Sequence, residues 1–245
     1  MTTLIKFLVA SAVGLLFTSC NFNVSWGQVD GNGNVVEKDL MIDEAFTTVD
    51  ASSGWDVYLS QGSQVEVTAE TDENLLELLE VEVRGNTLYI KTLDHENVGR
   101  ATSKKIYVTY VDDLKNISAS SGADVYAEDT LEGENLKIDV SSGAEVEAKA
   151  MVRKISLEAS SGAGITVSGG AETVSLDVSS GADIDARELK AEDVDADASS
   201  GGSIETWAGN SITANASSGG DIEYWGNPKK RDIPKSVSGN VKSRD

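Results

Sequence analysis

The triplet Ser-Ser-Gly occurs seven times in this 245-residue chain, beginning at Ser52, Ser120, Ser141, Ser160, Ser179, Ser199 and Ser217. The last six copies are separated by 21, 19, 19, 20 and 18 residues. Self-similarity at that period marks a solenoid whose coils stack on one another. Aligning the coils on the first serine sorts the flanking positions by parity. Five residues after it stand Val125, Val146, Ile165, Ile184, Ile204 and Ile222, and three before it stand Ile117, Ile138, Leu157, Leu176, Ala196 and Ala214. Ala, Val or Gly fill the positions one before and three after, while the opposite parity carries Asp, Glu, Lys, Thr and Ser. This alternation predicts strands with one face buried and one wet.

An unbroken strand through the whole motif would run about 36 Å, too long for one side of a coil that returns so soon. The triplet is therefore read as a corner, where glycine tolerates the bend and serine hydroxyls can satisfy freed backbone groups. Parity puts the second serine of each triplet on the inner side, in a ladder running from coil to coil. No copy differs from its neighbours or sits beside a base, so none is assigned a catalytic role.

The first half of the chain alternates less regularly. Strands are expected on either side of Gln61-Gly62, in a pair about the Gly85-Asn86 turn, and over 104–111. The stretch TDENLLELLE (71–80) reads as a two-turn helix capped by Thr71 or Asp72, an excursion from the solenoid wall.

At the N-terminus, Lys6 precedes the apolar run 7–17 and the sequence Thr18-Ser19-Cys20. This is the pattern of a secretory signal (1–19) ending at a lipoprotein cleavage site. Cys20 is the only cysteine, which excludes an intrachain disulfide and makes it the expected lipid anchor. Residues 20–36, rich in Asn and Gly, read as a flexible tether before a single domain over 37–241. The net charge of −21 argues against nucleic acid or an anionic bilayer surface as partner. The basic end, 229–245, is read first as a solvated segment.

Supplies for catalysis are thin. His95 is the only histidine, in a polar loop, and no nucleophile elbow, Ser-x-x-Lys pair, zincin motif or Walker loop is present. Neither catalytic residue nor cofactor is assigned. Asp139, Glu158, Asp177 and Asp197 fall two residues before successive triplets, a column that a divalent cation could bridge but that solvent can also satisfy. The loop DGNGNV (30–35) begins like a calcium loop but has Val35 and Met41 where glycine and glutamate belong. No metal ligand is assigned. Trp207 and Trp225 both lie eight residues after their triplets, in adjacent coils. They are a candidate platform for a sugar ring or a partner's aromatic side chain, or else a cover for the closing coil.

The lipoprotein signal, the segment FTTVDASSGWDVYL (46–59), VEVTAETDENLL (65–76), GNTLYI (85–90) and the repeated coils together resemble the bacterial family of auto-transporter adhesins with a head GIN domain, common in Bacteroidetes. The resemblance spans nearly all of 37–241. It implies an all-β, right-handed, single-stranded parallel β-helix of the pectin-lyase type, most regular over 115–226, with 226–241 as its closing coil. It implies a role in adhesion and transfers no catalytic residue. The expected protein is thus an exported, non-catalytic lipoprotein, held by its lipid at the outer membrane, that binds glycan or an envelope protein. A periplasm-facing scaffold and, further off, a polysaccharide-active enzyme are the competing readings.

Overall fold

The computed structural model describes residues 27–234 and 238–245. The signal segment and Cys20 lie outside them. Eighteen strands follow in order among the described residues: β1 (Gln28–Val29), β2 (Val35–Leu40), β3 (Thr48–Ala51), β4 (Asp56–Gln61), β5 (Glu66–Asp72), β6 (Leu79–Arg84), β7 (Thr87–Thr92), β8 (Asn97–Val98) and β9 (Lys104–Tyr110). Then come β10 (Asn116–Ala119), β11 (Asp124–Val140), β12 (Glu145–Ala159), β13 (Gly164–Val178), β14 (Asp183–Ala198), β15 (Ser203–Ala216), β16 (Asp221–Trp225), β17 (Lys230–Asp232) and β18 (Asn240–Ser243). From β10 onward every pairing is parallel and joins equivalent residues of successive coils, so the chain is a parallel β-helix.

Each triplet is a corner of one kind. Its second serine and its glycine both have positive φ, 56° and 72° at Ser161 and Gly162. The amide three residues after the first serine donates back to that serine's carbonyl, as Ala163 does to Ser160 at 3.2 Å. Two successive left-handed residues closed by this bond form a type I′ turn. The left-handed backbone throws the second serine outward. Ser121, Ser142, Ser161, Ser180, Ser200 and Ser218 are exposed, which corrects the inward placement that parity suggested. Strand parity does not survive a two-residue turn. The turns are instead tied by backbone, with Gly122, Gly162 and Gly181 donating to Ser142, Ser180 and Ser200 at 3.2 Å.

The columns expected inside are inside. Val125, Val146, Ile165, Ile184, Ile204 and Ile222 are all buried, as are the Ile, Leu and Ala residues three before each triplet. Unequal triplet spacing is absorbed away from the turn. Register shifts lie at Tyr126/Thr130, Thr166/Gly169 and Ala186/Lys190, where the longer coil bulges, and at Ala191/Asp193, where the shorter coil carries one extra residue. The stacked core therefore stays in step while the outer contour varies.

Order in space departs from order in sequence at the N-terminal end. The coil of β3 and β4 lies between the one built from β10 and β11 and an end coil built from β7 and β9. That end coil is closed by antiparallel strands, β6 on β7, and β5 on β9 with β2 beyond it. β4 and β5 flank Gln61-Gly62 as expected, but they pair with β9 on its two sides and not with each other. Trp55 holds the inner position occupied elsewhere by Ala or Gly, is fully buried, and its indole Nε1 donates to Thr92 Oγ1 at 3.2 Å. At the other end Tyr224 is also buried. Large aromatic side chains thus stand near both ends, at inner positions that smaller residues fill in the coils between.

The expected two-turn helix is a single 3₁₀ segment, Glu73–Leu78, and Asp72 does not cap it. The Asp72 carboxylate turns away to accept from the Gly33 and Thr102 amides at 2.6 Å each and from Thr102 Oγ1 at 3.1 Å. Burial pushes its carboxyl up, but these bonds outweigh burial and hold it below the ordinary carboxylate range. The same bonds dock the segment expected as a tether: Gln28–Val29 pairs with β8 and Val35–Leu40 with β5, so ordered structure includes residues 27–36.

Gly162→Val places a β-branched residue in a left-handed turn position with open space around it, so its cost is conformational, about 1–2 kcal/mol. Ser161→Asn, a residue the turn favours, should be neutral when both variants are unfolded in urea. Trp55→Ala leaves a cavity between the first coil and the end coil that covers it, and should cost about 3–5 kcal/mol.

Candidate functional site

The wall that follows the turn carries the aromatic surface. Six residues after the first serine, one outward column runs through every coil. In spatial order it reads Tyr107, Tyr58, Tyr126, Glu147, Thr166, Asp185, Glu205, Glu223 and Lys242, each the direct register partner of the next. At the strand spacing of a sheet this column is roughly 38 Å long.

Its first three members stack. Tyr58 sits between Tyr107 and Tyr126 with ring centroids 5.2 Å apart on each side and interplanar angles of 24° and 21°. Such contacts contribute about 0.5–1.5 kcal/mol each beyond area burial. The Tyr107 hydroxyl donates to Glu70 Oε2 at 3.1 Å, fixing the outer end of the ladder. Sequence reasoning missed this ladder. Tyr58 and Tyr126 do share a position relative to their triplets, but 68 residues separate them, and Tyr107 joins them only because the chain folds back to build the end coil.

Beyond Tyr126 the column loses its rings and becomes mostly charged, with Thr166 the one short neutral residue. Thr166, with Ser168 beside it, floors a groove of about 390 Å³ bounded by Tyr126 and Glu147 at one end and Asp185 at the other, with Lys149 at its side. Asp185 is held by Arg187, whose Nε donates to its Oδ1 at 3.0 Å, and this contact lowers the Asp185 carboxyl below its ordinary range. Arg187 also reaches Glu205 at 2.8 Å.

Trp207 and Trp225, two residues further along the same wall, are register partners as their spacing implied. Both are half-buried and each lies under a cation: Lys190 Nζ is 5.1 Å from the Trp207 ring and the Arg187 guanidinium 5.9 Å from that of Trp225. The Trp207 indole rests over Gly209 and Gly226, where an added Cβ would come within 3.1 Å of it. Among the described residues the stacked ring pairs are those of the tyrosines; the indoles lie side by side without stacking.

The acidic column lies on the other wall. Asp139, Glu158, Asp177 and Asp197 are successive register partners. Lys137 bridges the first two, at 3.4 Å from Asp139 and 2.9 Å from Glu158, and Asn215 donates to Asp197 Oδ1 at 2.9 Å. Asp177 is left between like charges. Burial, then Asp197 and Glu158, push its carboxyl up. Among the described residues no three His, Cys, Asp or Glu side chains converge as a cation would require. His95 is exposed, in a left-handed loop position. The loop 30–35 serves structure: Asp30 Oδ1 accepts from the Arg100 amide at 2.8 Å, and Asn74 donates to the Asp30 carbonyl at 2.9 Å. The basic end supplies the closing coil, where β17 pairs with β15, β18 pairs with β16, and Arg244 Nε reaches Glu223 at 2.8 Å.

With this architecture in view, comparison with known proteins defines the class. Residues 45–228 match the family described as "putative auto-transporter adhesin, head GIN domain". The chain belongs to that family. Among solved structures it superposes on an adhesin-described protein of Bacteroides fragilis with a TM-score of 0.81 at 24% identity, covering 88% of this chain and 99% of that one. A second, from Parabacteroides merdae, gives 0.71 at 21% identity over 89% and 100%. A third, from Parabacteroides distasonis and described as a lipid binding protein, gives 0.68 at 20% identity over 88% and 99%. At these identities the likeness is one of fold. A search of curated proteins gave no match.

Asp177→Asn removes a carboxylate whose folded-state pKa is raised, so its charge costs stability at neutral pH and not once it is protonated. With solvent screening, the melting midpoint should rise by about 1–3 °C at pH 7. The gain should vanish in a melt below the ordinary carboxylate range.

Proposed function

We propose that this protein is a non-catalytic binding module of the cell envelope, anchored through lipid on Cys20, which engages glycan along the wall of Tyr107, Tyr58, Tyr126, Trp207 and Trp225. The observation that carries the reading is the order of groups on that wall. A stacked tyrosine ladder ends at a groove floored by hydroxyls and flanked by carboxylates and a lysine, and an indole pair follows on the same rigid face.

Sugar rings offer flat C–H faces to aromatic rings and hydroxyls to carboxylate acceptors. A solenoid presents such groups at fixed spacing without conformational cost on binding. Tethering the domain to a surface multiplies weak contacts through effective concentration. Family membership supports an adhesive role, and the apolar run before Cys20 supports export.

Two measurements test this. Protease added to intact host cells should digest the domain, whereas protection until the outer membrane is broken would move the search to a periplasmic partner. On a glycan array, Tyr126→Ala and Trp225→Ala should each weaken binding at least tenfold, about 1.4 kcal/mol. An array without any ligand, or binding indifferent to both changes, would overturn the glycan reading.

A further inference from the structure

A second groove, of about 550 Å³, opens on the wall that precedes the turn, beneath the segment carrying the chain from β9 to β10. Its floor is made of outward residues from successive coils: Asn135 in β11, Ser156 in β12, and Thr173 and Ser175 in β13. The overhanging segment contributes Leu114, which is itself buried, and Lys115. The backbone anchors this overhang, since the Lys115 amide donates to Thr47 at 2.8 Å and its carbonyl accepts from Lys137 at 2.9 Å. Lys154 stands across the floor on β12.

Charge sets this groove apart. The chain has 41 acidic residues and 20 lysines and arginines. Lys137, at the edge of the groove, is already held by Asp139 and Glu158, and Glu134 is held by Arg153 at 2.7 Å. Lys115 and Lys154 are exposed, and among the described residues neither ammonium has a carboxylate within ion-pair distance. Two uncommitted cations thus face one depression lined by hydroxyls, an amide and aliphatic side-chain stems. Asp113 on the rim is the one lining carboxylate without an ion-pair partner. Volume, apolar walls and a few convergent polar groups are the attributes of a small-molecule site.

We infer that this groove binds a carboxylate-bearing sugar, such as a hexuronate unit at the end of a glycan. The lysines take the carboxylate as charge-assisted hydrogen bonds. Ser156, Thr173, Ser175 and Asn135 pair with ring hydroxyls, and the aliphatic stems of the lysines cover the C–H face. The acidic field of the rest of the molecule disfavours polyanions and leaves a ligand with one negative charge. The site lies on a different wall from the aromatic surface and does not depend on it.

The test uses full-length protein in detergent and a glucuronate-terminated disaccharide, with its methyl ester as a neutral probe of the same shape. By titration calorimetry the acid should bind at least tenfold more tightly than the ester, and weaken several-fold when sodium chloride is raised from about 0.05 to 0.5 M. Lys115→Met and Lys154→Met should each lose most of that preference while leaving the circular dichroism spectrum and melting midpoint unchanged. Tyr126→Ala should leave it intact, which separates failure here from failure of the aromatic wall. Equal affinity for acid and ester, no measurable binding of the acid, or loss of preference through Tyr126→Ala and not through the lysines would overturn the proposal.

Discussion

The structure depends on a corner that turns in two residues. A parallel β-helix has to change the direction of its wall in every coil while keeping the inward columns inside, or the side chains that fill it fall out of line. Two consecutive left-handed residues meet this demand, because they change direction without consuming a strand position on the inside. Glycine adopts the second without cost, while serine, with a small polar side chain, accepts the first and can face water there. Once the corner is fixed, the residue three places after the first serine lands inside in every coil: Trp55 in the first, and Ala or Gly in the six that follow. Everything that varies, including coil length, bulges and aromatic side chains, is displaced to the outside or to the two ends.

Much of this was legible from residue order because a solenoid converts sequence period into spatial adjacency. The Val and Ile columns, the partnership of Trp207 with Trp225 and the acidic column from Asp139 to Asp197 could be read that way, since each lies in coils that follow one another along the chain. The outward second serine could not, as parity counting assumes continuous strand and the turn breaks it. The tyrosine ladder was hidden for a different reason. Its members belong to coils adjacent in space and not in sequence, and no local pattern announces that β7 and β9 fold back beneath β3 and β4. Asp72 shows a third limit: its position suggested a helix cap, yet amides from two distant segments compete for the same carboxylate and win.

The two walls of the helix differ in character. The wall after the turn combines rings with paired charges, and Arg187 alone links Asp185, Glu205 and the face of Trp225. The wall before it carries a line of carboxylates relieved at intervals by Lys137 and Asn215, with a cation-bearing groove near one end. Since inward positions are dictated by stacking, outward ones are free to differ from coil to coil without disturbing the core. A chain of this design can change what it binds while keeping its fold.

The displaced first coil also sets the order in which the chain can assemble. In a solenoid wound from one end, each coil condenses on its predecessor through contacts some nineteen residues apart, and growth can follow synthesis. Here β3 and β4 are made early, yet the strands that cover them on one side, β7 and β9, appear only after the whole excursion has been completed. Trp55 cannot be sealed before Thr92 arrives to meet its indole. Residues 27–110 therefore close through long loops, at a greater loop-closure cost than the later coils, each of which contacts its immediate predecessor in sequence. The end cap of this molecule is thus tied together by contacts distant in sequence, and its repeats by contacts one coil apart.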